Sequence, residues 1–306
     1  MFGDYSLEYG DYRAAITQVG AGLRELRHAG RDLVLSFDRD EARPYFRGSL
    51  LAPWPNRITD GRYQFAGQQY QLPVNETERA TALHGLVCWV PFDLLEQTAE
   101  AVTLHHRLVP QPGYPFALEL TARYVLGDAG LSCTVTATNV GDQSAPYGTA
   151  PHPYLCAGTG RVDDWTLEVP ADEVLSVTPD RLLPVATGPV TSPVAGGLLD
   201  FRSPRRIGDV WVDHAYTTVT AGPDGLALVR LRHDDGHGVE CAWDPTTLPW
   251  VQIHTADRPD EASSRLGLAV EPMTCPPDAF NSGVDLLVLR PGDQHVAGWT
   301  LAALTD

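Results

Sequence analysis

Apolar and polar residues alternate along much of this chain with a period of two, in runs too short to be long helices. Successive side chains of a strand point to opposite faces, so such runs predict half-buried strands. They cover Tyr12 to Val19, Asp32 to Phe37, Val102 to Val109, Phe116 to Leu126, Leu131 to Val140, Trp211 to Thr220, Leu226 to Leu231 and Val239 to Trp243. A further apolar run, Gly267 to Val270, leads straight into Glu271. Turn-forming clusters punctuate the runs: Gly127-Asp128-Ala129-Gly130, Asn139-Val140-Gly141-Asp142, Gly222-Pro223-Asp224-Gly225 and Asp234-Asp235-Gly236. The clearest predicted hairpin joins Phe116 to Leu126 with Leu131 to Val140. Only Asp260 to Leu266 reads as a helical turn, and the five prolines between Pro179 and Pro204 read as a long surface crossing. No break in composition marks a linker, so residues 1–306 read as one large all-β domain.

Composition narrows the partners. The 28 glycines and 25 prolines are spread evenly and fit many tight connections between strands. A formal charge of −17 excludes nucleic acid and anionic membrane as natural partners, because phosphates repel such a surface. It leaves neutral small molecules open. Cys88, Cys133, Cys156, Cys241 and Cys275 are scattered with no CxxC pair, so they read as reduced thiols in a cytoplasmic protein. The start, Met1-Phe2-Gly3-Asp4-Tyr5, has no basic region followed by an apolar stretch, and no run approaches the roughly 18 apolar residues that span a bilayer.

The candidate chemistry is acid–base. Glu271 follows an apolar strand and is at once followed by Pro272, with Pro276 and Pro277 beyond, so a stiff segment holds a carboxylate at the mouth of a β structure. Pro151-His152-Pro153-Tyr154 fixes the backbone on both sides of one histidine, the side chain that titrates nearest neutrality. Leu83-His84-Gly85 sets a second histidine at a turn, equally readable as a half-buried histidine bonded to backbone. Asn56-Arg57, between Pro55 and Gly61, offers a rigid fork of donors to ligand oxygens, or an ordinary surface turn. Asp213-His214 lies in an apolar run, where alternation sends the two to opposite faces and a charge needs a partner or a ligand. His233-Asp234-Asp235-Gly236-His237 has metal-like spacing but reads better as a hairpin turn. His105 and His106 point to opposite faces of a strand. Trp54, Trp89 and Trp250 lie near candidate residues and could stack on a sugar face. No P-loop, serine nucleophile elbow, HExxH or complete dinucleotide fingerprint is present.

Taken in order, Asn56-Arg57-Ile58 with Gly61, Leu83-His84-Gly85, His152-Pro153-Tyr154, Asp213-His214, Val251-Gln252, and Glu271-Pro272 followed by Pro277-Asp278-Ala279-Phe280-Asn281 resemble the aldose 1-epimerase (galactose mutarotase) family. The resemblance spans about residues 50 to 285. It implies a β-supersandwich, a large two-layer antiparallel sandwich with few short helical turns. It also implies interconversion of the anomers of a free sugar without metal or organic cofactor; the expected partner is a small-molecule sugar, and the expected state a monomer or homodimer. Carried over residue by residue, Glu271 is the base and His152 the acid, while His84 bonds near the ring oxygen. Arg57 and Asp213 grip sugar hydroxyls, with Asn56 and Gln252 as helpers. Thr149-Ala150-Pro151 and Pro272-Met273 depart from galactose-type members and look more like bacterial members of looser specificity, including the branch associated with sulfoquinovose. Three alternatives compete with this reading. A hexose 6-phosphate epimerase would use Arg205-Arg206 and Arg57 for the phosphate. A noncatalytic carbohydrate-binding sandwich would need no acid facing a base. A glycosidase would pair Asp213 with Glu271.

Overall fold

The computed structural model describes residues 3–192 and 197–305. Two antiparallel sheets carry most of the strands. The larger has nine, in spatial order Asp93–Gln97, Ala101–Leu108, Leu118–Gly127, Gly130–Asn139, Gln294–Leu304, Gly238–Trp243, Ala227–Arg232, Thr166–Glu168 and Arg205–Arg206. The second has six: Tyr154–Leu155, Leu268–Met273, Trp250–His254, Asp213–Val219, Ala171–Val177 and Pro184–Pro189. A four-stranded N-terminal sheet, Asp4–Tyr9 through Arg31–Asp32, packs on the larger one, where the Tyr124 hydroxyl donates to Ala21 O.

Alternation explains how the layers meet. Along Leu118–Gly127 the residues Leu118, Leu120, Ala122, Tyr124 and Leu126 are all buried, while the positions between them are not. The expected hairpin forms in register from Leu118↔Asn139 to Gly127↔Gly130. In the six-stranded sheet, Val251, Ile253, Leu268, Val270 and Tyr216 join the same contiguous core as Leu120, Val135, Val229 and Leu301 of the nine-stranded one. Each such side chain, moved from water into this layer, stabilises the sandwich by about 1.5–3 kcal/mol. The other face of the six-stranded sheet carries Asp213, Gln252, His254 and Glu271. It is there that chemistry collects.

Several expectations need correction. Asp32 to Phe37 is not a strand beyond Asp32: Leu33 N–H bonds to Leu26 O and Leu35 N–H to Tyr154 O, so the run bridges two sheets instead of lying in one. Asp260 to Leu266 is a series of turns, with Ser263 N–H on Asp260 O and Ser264 N–H on Glu261 O. Among the described residues a single short α-helix, Ala279–Ser282, stands instead in the segment after Pro277. The expected surface crossing contains the strand Pro184–Pro189, paired with Ala171–Val177, and its residues 193–196 lie outside the described residues. The longest strand, Gln294–Leu304, was not apparent from the pattern, because Gly298 and its alanines weaken the β signal around Trp299. Residues 233–237 form the hairpin turn, with His233 N–H on His237 O. Among the described residues no helix is long and apolar enough to cross a membrane.

Candidate active site

Strand register builds the floor of the site. Ala215, Gln252 and Glu271 lie side by side in one cross-strand row. Asp213, His254, Ala269 and Tyr154 form the next. Because side chains two apart share a face, His152 stands one step from Tyr154 at the level of Glu271, and its Nε2 lies 3.5 Å from Glu271 Oε1. The alanines at 215 and 269 leave the floor open between the polar groups. Val270 N–H bonds to Pro153 O, which continues the pairing through the proline-flanked segment.

The wall comes from the short pair Arg57–Thr59 and Thr81–Leu83. Asn56 and His84 both have positive φ, 54° and 63°, and grip each other: His84 N–H donates to Asn56 O at 2.9 Å, and Asn56 N–H donates to His84 Nδ1 at 3.2 Å. With Nδ1 accepting, the imidazole proton sits on Nε2, so His84 presents a donor. Gly85 is obligatory beside it, since φ is +76° and a Cβ would stand 2.1 Å from Ala52 O. Arg57 gives Nε and Nη2 to both oxygens of Glu76, at 2.8 and 2.9 Å, and Nη1 to Asn56 Oδ1 at 3.4 Å. Asp278 braces this wall from behind, accepting Thr59 N–H and Thr59 Oγ1–H at 2.9 Å each.

Many of these groups line a cavity of about 250 Å³, room for one small ligand rather than a chain. Tyr45, Phe46, Trp211, Arg79 and Arg258 stand around it. Glu271 is 2 % exposed and His152 4 %, so both are protected from water while facing the cavity. Glu271 Oε2 and Gln252 Oε1 are buried with no hydrogen-bond partner, acceptors waiting for donors.

Burial sets the charges. It pushes the Glu271 carboxyl well above the usual range, with Asp213 adding repulsion and Arg57 offsetting part of it. Burial, with His254 nearby, pushes His152 down to about 3. His84 is likewise held well below its ordinary value by burial and by His152. Asp213 goes the other way. Burial alone would raise it, but His254, Arg57 and the bond from Gln252 Nε2 to its Oδ1 (2.6 Å) bring it below the ordinary carboxylate range. The site thus holds one firm carboxylate, Asp213, and one carboxyl–imidazole pair, Glu271 and His152, poised to share a proton.

His84, His152 and Glu271 could also bring a ligand atom each to a cation, as these lie within 4.8 Å of one another. His84 fits such a role poorly, because Asn56 N–H occupies its Nδ1 lone pair and leaves Nε2 protonated.

All seven residues expected at the site line this cavity. Asp213 and His214 diverge as alternation requires, His214 lining a different hollow. The tryptophan expectation fails. Trp54 and Trp250 are buried, with Nε1 bonded to Ala82 O and Asp285, and Trp89 packs on Phe46 outside the cavity; the indole at the rim is Trp211. Arg205 and Arg206 are also elsewhere, on the edge of the nine-stranded sheet, with Arg206 paired to Asp164 and Asp234. Sequence reasoning missed Glu76, His254 and Arg258. His254 was reachable: it lies two residues past Gln252 on one strand. Glu76 carries no local signal, since only the fold brings it to Arg57.

A sequence model of the family described as aldose 1-epimerase matches residues 4–301. The chain is 38 % identical over 292 residues to an Escherichia coli K12 protein described only as uncharacterized protein YihR, covering 95 % of this chain and 90 % of that one. It is 32 % identical over 304 residues to the galactose mutarotase of Rattus norvegicus, covering 89 % and 84 %. Among solved structures, a GalM/aldose epimerase homologue from C. elegans superposes with a TM-score of 0.85 at 22 % identity, over the full length of both chains. Galactose 1-epimerase from Lactobacillus acidophilus gives 0.79 at 20 % identity, over 100 % of this chain and 99 % of that one.

Proposed function

The chain belongs to the aldose 1-epimerase family, and from that premise we propose that it interconverts the α and β anomers of a free aldohexose or a related sugar. The observation that carries the reading is the buried Glu271–His152 pair facing a cavity of sugar size, beside Arg57, Asp213 and Gln252. Opening a hemiacetal requires two proton movements. A base takes the proton of the anomeric O1 hydroxyl, an acid protonates the ring oxygen O5, and the C1–O5 bond breaks to leave an aldehyde. The aldehyde turns about C1–C2, and the ring recloses on the other face.

The pair fits this sequence without gaining or losing a proton from solvent. In its reactive form Glu271 is ionised and His152 protonated; each has one step to perform. After ring opening Glu271 holds the O1 proton and His152 is neutral, which is the form that burial favours in the free site. Ring closure reverses both transfers. In this reading His84 Nε2–H donates to oxygen as negative charge develops near O5, and Asp213 and Arg57 receive from and donate to the remaining hydroxyls. Each proton transfer contributes about 10²- to 10⁴-fold.

One observation favours a second reading, in which the sugar carries an anionic substituent. Arg57 and Arg79 both pair with the single carboxylate of Glu76, and Arg57 also lies in the field of Asp213. Arg258 lies over the Tyr45 ring at 3.8 Å and bonds to the Tyr154 hydroxyl, and among the described residues no carboxylate forms an ion pair with it. An uncompensated guanidinium at the rim suits a phosphate or sulfonate. The test is equilibration of freshly dissolved anomers followed by polarimetry or NMR, with galactose, glucose, sulfoquinovose and glucose 6-phosphate side by side. Acceleration that is lost in Glu271→Gln supports the epimerase; no acceleration of any of a broad panel of aldoses refutes it. A preference for the charged sugars that disappears in Arg258→Gln supports the second reading.

A further inference from the structure

His254 lies in the site but has no part in the reaction above. It stands between Asp213 and Ala269 in the second cross-strand row, and its ring lines the cavity. Its Nδ1 is 3.7 Å from Asp213 Oδ2. The other carboxylate oxygen, Oδ1, already accepts from Gln252 Nε2 at 2.6 Å. A carboxylate held by one oxygen still pivots about that bond, so the direction of its free lone pairs is undefined.

Resting on the epimerase reading, we propose that His254 is the positioning residue for Asp213: it steadies Oδ2 as Gln252 holds Oδ1, and so fixes the plane in which the carboxylate accepts a sugar hydroxyl. The separation exceeds a hydrogen bond, and His254 Nδ1 is buried with no hydrogen-bond partner of its own, so Asp213 Oδ2 is the carboxylate oxygen it faces. The electrostatics agree with the geometry. Asp213 is held below the ordinary carboxylate range in a buried place with His254 first among the groups that offset the burial, while burial and Arg258 hold the His254 imidazole itself below its ordinary value against the pull of Asp213 and Asp257. Ala269, the next residue in the row, is too small to hold the imidazole from its far side, so the ring's polar neighbour in the row is Asp213.

The experiment is a double-mutant cycle with an independent spectroscopic arm. His254→Ala is expected to raise KM about tenfold and to change kcat by less than threefold, and His254→Gln, which keeps a donor, to recover most of the loss. In an Asp213→Asn background the same His254→Ala change should cost less than twofold. Additive losses would overturn the proposal. Imidazole NMR of His254 needs no substrate: replacing Asp213 with Asn removes the facing anion, so the His254 titration should move to lower pH. An unmoved titration overturns the contact even if the enzyme is active, whereas a shifted titration in a protein that epimerises no sugar would sink the proposed function alone.

Discussion

At Glu271 the fold keeps a carboxyl where ionisation is costly, and that cost can be measured. Its pKa is raised in the folded chain and ordinary in the unfolded one, so between those two values the native state binds more protons. The sign follows directly: the contribution to stability is fully present below the ordinary carboxyl range and is lost as pH rises through the folded value. Glu271→Gln removes the ionisable group while keeping its shape. The variant should therefore melt about 2 °C or more above the parent at neutral pH, with the difference closing near pH 4, while the proposed epimerase rate falls by about 10²-fold or more. A variant less stable than the parent at neutral pH would show that the side chain is structural.

At the scale of the element, the segment from Pro277 to Asn281 braces the wall of the site. Asp278 accepts both the backbone and the hydroxyl of Thr59, its own N–H bonds to Arg57 O, and Asn281 Nδ2 returns to its Oδ1. This turn fastens the Arg57–Thr59 strand and so fixes where the Arg57 guanidinium points. Asp278→Ala should raise KM for sugar about tenfold through loss of that placement, affect kcat much less, and lower the melting temperature by a few degrees as the two bonds to Thr59 disappear. Kinetics on the variant, with Arg57→Gln as the reference, check the route: if Arg57 is the target, the two losses do not add.

The whole molecule is a sandwich whose thickness protects its reactive groups. All five cysteines are buried and unpaired, and burial pushes the thiols of Cys88, Cys156 and Cys275 up to about 12. Cys133 and Cys241 are raised further by the same cause. Thiolate is the reactive form, so the native protein should give almost no reaction with a colorimetric disulfide reagent at pH 8, and all five thiols should react once denaturant is added. Fast labelling of the native fold would mean that the layers open far more readily than their packing implies.

Much of this was legible along the chain. Period-two runs located the Leu118–Gly127 and Gly130–Asn139 hairpin and most strands of the large sheet, because alternation encodes which side meets the core. Local stiffness marked His152 and Glu271, since proline and strand ends leave their signature within a few residues. Register is different: it depends on which strands become neighbours, and no local pattern states that Gln252 faces Glu271 or that Asp213 faces His254. Nor does any motif bring Glu76 onto Arg57 or Arg258 over Tyr45. Residue types and their candidate chemistry belong to the sequence alone. Distances, burial and hence which groups hold protons belong to the packed sheets, because desolvation and charge pairing exist only when distant segments come together.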